Sequence, residues 1–282
     1  MYRTPAPVLE RTEAPSLSIA RVLHRRFGPG GHRLDDEFST RHFTDLTASY
    51  GVPFRPDIAA AAAGNTFTSM ATELMAELEP GSAELALVAH ATPDVDCRLA
   101  AATYLSEVLP GGPLVFAISE SGRCTPFAAL RLAGDYAARH NYQRVLVFAF
   151  DQATLPYEKT AVPAANDPVG DAGAVILLGP PGEGADYTVR HVAGVTGDGA
   201  VGAAVRRELA SLPRPVRVLA GPGVEPDQDL PAGVGPVERV PAGYPCTGLL
   251  GALGDHANGT ALLVDHDRTT GDLALCVVGG LP

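Results

Sequence analysis

Four cysteines, Cys97, Cys124, Cys246 and Cys276, and eight histidines are the groups in this 282-residue chain most suited to nucleophilic or acid–base chemistry. Cys124 stands immediately before TPFAALRLAGDYAA, whose apolar spacing is helical and whose Pro126 sits where a first turn tolerates proline. The N–H groups and dipole of a helix start favour a thiolate and accept a developing oxyanion, the needs of acyl transfer through a thioester. Cys124 also reads simply as a small buried residue at a helix start. Ser121, in the turn Ser119-Glu120-Ser121-Gly122, is a second hydroxyl or thiol nucleophile to weigh, without a matching base. Two histidines could serve as bases: His266, within Asp265-His266-Asp267, and His90, in the turn HATPD. His266 equally reads as a solvated side chain in a hairpin turn, DHDRTTGD. The cysteines lack CxxC spacing and a disulfide framework, and the acidic and histidine residues lack metal-ligand spacing. With no GxxxxGK(S/T) loop either, no metal or nucleotide cofactor is expected.

Helices and strands must carry these residues to one place. TFTSMATELMAEL reads as a helix, ELALVAH as a strand, CRLAAATYLSEVL as a helix, PLVFAIS as a strand, TPFAALRLAGDYAARH as a helix and RVLVFAF as a strand. DAGAVILLG adds a strand after a Pro-rich loop at Pro156 to Pro168. The apolar strand runs suit a sheet covered on both faces. A shorter copy of the plan follows: DYTVRHVAGV, AVGAAVRRELASL, VRVLAG, CTGLLGALGDHA, TALLVDH and DLALCVV. The two CT helices match locally, since Cys124-Thr125 leads to Gly134-Asp135-Tyr136-Ala137 and Cys246-Thr247 leads to Gly254-Asp255-His256-Ala257. An internal duplication is expected, with an N-terminal half over residues 1–180 and a shortened C-terminal half over 181–282. PGVEPDQDLPAGVGPVERVPAGYP shows no periodicity and reads as a surface loop near the site. Before Thr66 the signals are short: a strand in APVLE, and helical stretches near Ile19 to Arg26 and Arg41 to Ala48.

Apolar residues make up 46% of the chain, enough for a sizeable core rather than a disordered segment. A formal net charge of −11 would repel a phosphate backbone, so nucleic acid is not an expected partner. No apolar run reaches the roughly 18 residues needed to span a bilayer, and MYRTPAPVLERTEAP lacks a signal-peptide core. A soluble cytoplasmic protein with reduced thiols is expected.

Three segments carry a resemblance. LALVAHATPD is similar to a strand leading into an ATxTPD turn, SGRCTPFAALRLAGDYAARHNYQRVLVFAFD to a nucleophile helix with its following strand, and DPVGDAGAVILL to an FGDGAGAVVL strand. In that order they resemble ketoacyl synthase III of the thiolase superfamily, with this chain a shortened and divergent member. The resemblance implies an α/β fold of duplicated βαβαβ halves layered α/β/α/β/α. It also implies a dimer, and a Cys that takes an acyl group from coenzyme A or acyl carrier protein, with His and Asn assisting condensation.

The family's C-x-x-F spacing is met by Cys124 and Phe127, whereas counting from Leu130 and Val145 puts Arg123 at the nucleophile position. Where the family has its His, VRVL runs into Ala220-Gly221-Pro222-Gly223; where it has its Asn, the turn reads Gly243-Tyr244-Pro245-Cys246-Thr247. Both partners are therefore missing. His266, in a turn beside the family's pocket, and His90, replacing a family Thr near the dimer face, are the expected substitutes. Arg123, Thr125 and Cys246 are expected to line the substrate pocket. The resemblance implies an acyltransferase acting on acyl-coenzyme A or acyl-carrier-protein thioesters in polyketide or other secondary metabolism. The alternative is a non-catalytic partner, similar to a chain-length factor, paired with a complete ketosynthase. A third reading is a hydrolase or cyclase of carrier-bound chains using Ser121.

Overall fold

A computed structural model describes residues 17–49, 51–119, 121–157, 167–197, 199–213, 215–255 and 259–279. The strand expected in APVLE lies outside these residues. In chain order the first half comprises β1 (Ser18–Arg26), β2 (His32–Arg33), α1 (Glu37–Ala48), α2 (Pro56–Ala61), β3 (Ala63–Gly64), α3 (Phe67–Leu78), β4 (Leu85–His90), α4 (Ala101–Val108), β5 (Leu114–Ile118), a 3-10 turn at Gly122–Cys124, α5 (Thr125–His140), β6 (Val145–Asp151) and β7 (Ala172–Gly179). The second comprises β8 (Ala185–Val192), α6 (Ala200–Ala210), β9 (Val216–Ala220), α7 (Pro226–Asp229), β10 (Val237–Arg239), α8 (Gly248–Gly254), β11 (Thr260–Asp267) and β12 (Asp272–Val278). No described helix is long and apolar enough to cross a membrane.

Strand order gives the duplication its clearest form. The first set runs β5-β4-β6-β7-β1 and the second β10-β9-β11-β12-β8, so each places its own third, second, fourth, fifth and first strands side by side. Directions match too: β4 is parallel to β5 and β6 while β7 and β1 are antiparallel additions, and β9, β10, β11, β12 and β8 repeat this. The sets join through a two-residue pairing, Ser18 with Asp186 and Ile19 with Ala185.

Period-two alternation divides the core into layers. Leu85, Leu87 and Ala89 of β4, and Val145, Val147 and Ala149 of β6, share one apolar cluster with Leu263 of β11, Cys276 of β12 and residues of α5 and α8. Ala86, Val88, Leu146 and Phe148 face the other way, against α3 and α4. Leu262, Val264 and Leu275 of the second set do the same against α6. The layers are therefore α3 and α4, sheet, α5 and α8, sheet, α6, the α/β/α/β/α arrangement expected.

Helix ends follow local chemistry. Thr66 accepts the Ser69 N–H at the start of α3, and the Asp94 carboxylate accepts the Phe67 N–H at the same end. In α5, Pro126 sits in the first turn, Arg139 and His140 in the last, and Asn141 closes the helix with φ 57°.

Two early expectations change. Ile19 to Arg26 is strand β1, not helix: Val22 joins the central layer and Leu23 the outer one, and the segment pairs along β7. So short an apolar run fits either period, and the sheet decides it. The aperiodic loop after β9 contains α7 and β10, the latter paired parallel to β9 at the sheet edge. Three residues are too few to show alternation. The helix expected at Arg41 to Ala48 is present in α1. The halves also differ in length: residues 27–66 separate β1 from α3, but only 193–199 separate β8 from α6.

Leu263 is 0% exposed in the central layer, so Leu263→Ala should lower stability by about 3 kcal/mol in chemical denaturation, while Val169→Ala, at 72% exposed, should change it by under about 0.5 kcal/mol.

Candidate functional site

The mouths of α5 and α8 meet between the two sheets. The Gly122 carbonyl accepts the Thr125 hydroxyl at 2.8 Å and lies 4.0 Å from Cys246 Sγ, so the 3-10 turn of one half touches the helix start of the other. Arg123, Cys124, Thr125 and Cys246, expected at one site, are brought together and are all buried.

Cys124 is 0% exposed. Its Sγ donates to the Asp272 carbonyl at 3.3 Å and approaches the Asp265 carbonyl at 3.8 Å, and no histidine is within hydrogen-bond reach of it among the described residues. Burial and the carboxylates of Asp265, Asp267 and Asp272 push its thiol well above the ordinary value. A thiol so placed stays protonated at neutral pH and is a poor nucleophile. Burial, with the nearby Asp151 carboxylate, likewise raises Cys246.

Both candidate bases face away from Cys124. His266 does not lie in a hairpin turn; it is a residue of β11, and by alternation it shares the outer face with Leu262 and Val264. Its Nε2 lies 3.2 Å from the Val195 carbonyl. His90 ends β4 on the outer parity of Ala86 and Val88, with Nδ1 2.9 Å from the Thr92 carbonyl and its ring 5.3 Å from that of Phe67. Burial lowers its pKa. The expected Cys–His pair is therefore not formed: one residue of strand register places each imidazole across a sheet from the thiol.

Carboxylates occupy the helix mouths instead. Asp151, at the end of β6, accepts the Cys246 N–H and the Thr247 N–H, each at 2.9 Å, and the Thr247 hydroxyl at 2.7 Å. Reciprocally, Asp267 of β11 accepts the Arg123 N–H at 3.4 Å, and Arg123 Nη1 lies 3.4 Å from Asp265 Oδ1 with both side chains 1% exposed. Asp265 also accepts the N–H groups of Gly223 and His266, at 3.0 and 2.9 Å. A Cβ built on Gly221 would stand 2.3 Å from the Asp265 carboxyl carbon. The turn after β9, where the resemblance calls for His, is thus glycine because the Asp265 carboxylate fills the space a side chain would enter. Burial pushes Asp151 up to about 6, and raises Asp265 despite the Arg123 guanidinium.

Asp151 closes the segment that resembles the nucleophile helix and its following strand, but no role attaches to it there; only the packing of the second half shows its use. His191 was also missed. It follows Val189 on the inward parity of β8, on the Cys124 side of the sheet, and its Nε2 lies 3.4 Å from Asp272 Oδ1. No group of His, Cys, Asp and Glu among the described residues could hold a metal ion.

The fold has close structural counterparts. The acyltransferase ChlB3 superposes with a TM-score of 0.63 at 17% identity, covering 95% of this chain and 98% of its own. AbyA1, a tetronic acid condensing enzyme, gives 0.62 at 16% identity, covering 94% and 100%. The 3-oxoacyl-(acyl-carrier protein) synthase of Burkholderia xenovorans LB400 gives 0.58 at 17%, covering 95% of each chain. The chain has the thiolase-type fold. No protein-family model matches it, and no curated protein matches it by sequence. The thiolase-type architecture is retained here while the helix mouths at its centre are engaged by internal carboxylates.

Asp151 and Asp94 carry raised pKa values of about 6 and about 7 against an ordinary 3.8. Between those limits the folded chain holds protons that the unfolded chain has released, so their contribution to stability falls as pH rises through the window. Relative to wild type, the melting temperatures of Asp151→Asn and Asp94→Asn should each rise with pH from about pH 4, levelling off near about pH 6 for Asp151 and about pH 7 for Asp94. At about pH 5, Asp151→Ala should cost about 3 kcal/mol, because two buried N–H groups lose their acceptor.

Proposed function

We propose that this chain is a non-catalytic thiolase-fold subunit that pairs with a complete ketosynthase in a pathway built on acyl-coenzyme A or acyl-carrier-protein thioesters. The observation that carries this reading is the state of the two helix mouths: the Cys246 and Thr247 amides and the Arg123 amide already hold buried carboxylates. A thioester carbonyl needs such amides for its oxyanion, and it needs a thiolate. Cys124 is a closed-in thiol among three acidic residues, without an imidazole to take its proton. The thioester setting rests on the counterparts described as an acyltransferase, a tetronic acid condensing enzyme and an acyl-carrier-protein synthase.

Pairing has a surface to use. β5 ends its sheet with one edge unpaired among the described residues, and Leu114 at its start is 46% exposed. An unpaired edge is a template for a further strand from another chain. Beside it, Phe116, Tyr136, His140 and Tyr142 form a chain of ring contacts at 5.5, 5.7 and 5.3 Å. Extension of this sheet by a ketosynthase strand would bury both.

Intact-mass measurement after incubation with acyl-coenzyme A and acyl-carrier-protein thioesters should give no covalent adduct. An adduct that disappears in Cys124→Ala would restore the acyltransferase reading in its place. On co-expression with a complete ketosynthase, a 1:1 complex should form by sedimentation and weaken at least about tenfold in Leu114→Glu. A self-dimer that excludes the ketosynthase would overturn the pairing.

A further inference from the structure

Turned away from Cys124, the His266 side chain forms part of a hollow on the outer face of the second sheet, with a volume of about 380 Å³. Gly199, Val201, Gln228, Asp229 and Arg268 also line it. Three features converge there. The N-terminus of α6 opens at Gly199, whose φ of 77° suits glycine and which brings no side chain to cap the first turn. Arg268, half exposed, donates from Nε to the Gly223 carbonyl at 3.2 Å and from Nη2 to Asp229 at 2.6 Å. His266 is 6% exposed, and its Nδ1 is buried without a hydrogen-bond partner among the described residues.

The histidine states what kind of partner is missing. Nε2 faces the Val195 carbonyl, which can only accept, so Nε2 carries a proton. Nδ1 is then either a lone pair requiring a donor or, on the imidazolium, an N–H requiring an acceptor. A hydrogenphosphate or phosphate monoester answers both, since it presents O–H and O⁻ on one centre. Its remaining oxygens suit the amides at a helix start and a guanidinium. Asp229 does not exclude it: its Oδ2 already accepts from Arg268 Nη2 and from the Glu225 N–H, at 2.6 and 2.7 Å, and among the described residues Nη1 of Arg268 is left to meet the anion.

We propose that this hollow is a binding site for a small phosphate or phosphate monoester, held by the N-terminus of α6, His266 Nδ1 and Arg268. It is separate from the helix mouths, across the second sheet from Cys124, and does not depend on whether the chain is catalytic. The net charge of −11 makes the test discriminating, because the protein as a whole repels anions and only local groups can hold one.

The test is titration of the full chain, labelled with ¹⁵N-histidine, with inorganic phosphate and separately with chloride at matched ionic strength. The His266 Nδ1 resonance should move saturably with phosphate alone, and the affinity should fall at least about tenfold in Arg268→Ala. Calorimetry on His266→Gln, whose amide can still donate to Val195, gives a second reading and should show a comparable loss. No movement, equal movement in chloride, or unchanged affinity in both variants would overturn the proposal.

Discussion

The two halves are held by an exchange of carboxylates across their pseudo-twofold. Asp151 at the end of β6 caps the α8 mouth of the second half, and Asp265 and Asp267 of β11 receive the amide and guanidinium of Arg123 at the α5 mouth of the first. Taking these groups out of water is costly, and a buried pair such as Arg123 and Asp265 repays that cost only when further hydrogen bonds satisfy it. The further bonds come from backbone amides at the ends of the elements themselves, Cys246, Thr247, Gly223 and His266. Much else follows from them: the glycine at 221, the closed position of Cys124, and the register at which the 3-10 turn sits on β11 and β12.

A helix mouth presents amides and a dipole that favour an anion. Here the same electrostatic property serves cohesion. A helix N-terminus does not distinguish a substrate oxyanion from an internal carboxylate, since both are anions at hydrogen-bond distance. An aspartate at the end of the neighbouring strand takes up the amides at the α8 mouth, and the fold accommodates it at hydrogen-bond distance. The effect on the thiol is opposite to the one a helix start alone would give. The dipole favours thiolate, but burial and three carboxylates outweigh it, and the balance lies with the neutral form.

Much of the architecture was legible in the sequence because it is written in local periodicity. The sixteen residues of α5 coincide with TPFAALRLAGDYAARH, and the apolar runs of β4, β6 and β7 are buried on both faces as such runs require. The repeated CT helices announced a duplication that strand order and direction then displayed. β1 and β10 were not legible, since one fits two periods and the other is too short for any. Their assignment comes from the strands beside them.

For the site, the resemblance carried by the sequence implied which partners were missing: no His after β9, no Asn before α8, and a Cys whose position was open by one residue. It also placed Arg123, Cys124, Thr125 and Cys246 in one neighbourhood, because helix starts in a duplicated fold converge. What each side chain touches there follows from long-range packing. Successive residues of a strand point to opposite faces, so His266 and His90 were each one register step from the thiol and a full sheet away in space. Likewise, Asp151 is separated in sequence from the amides it caps at Cys246 and Thr247, and nothing local to either segment connects them. Long-range packing alone brings such groups together, and that packing sets whether a helix mouth receives a substrate or an aspartate.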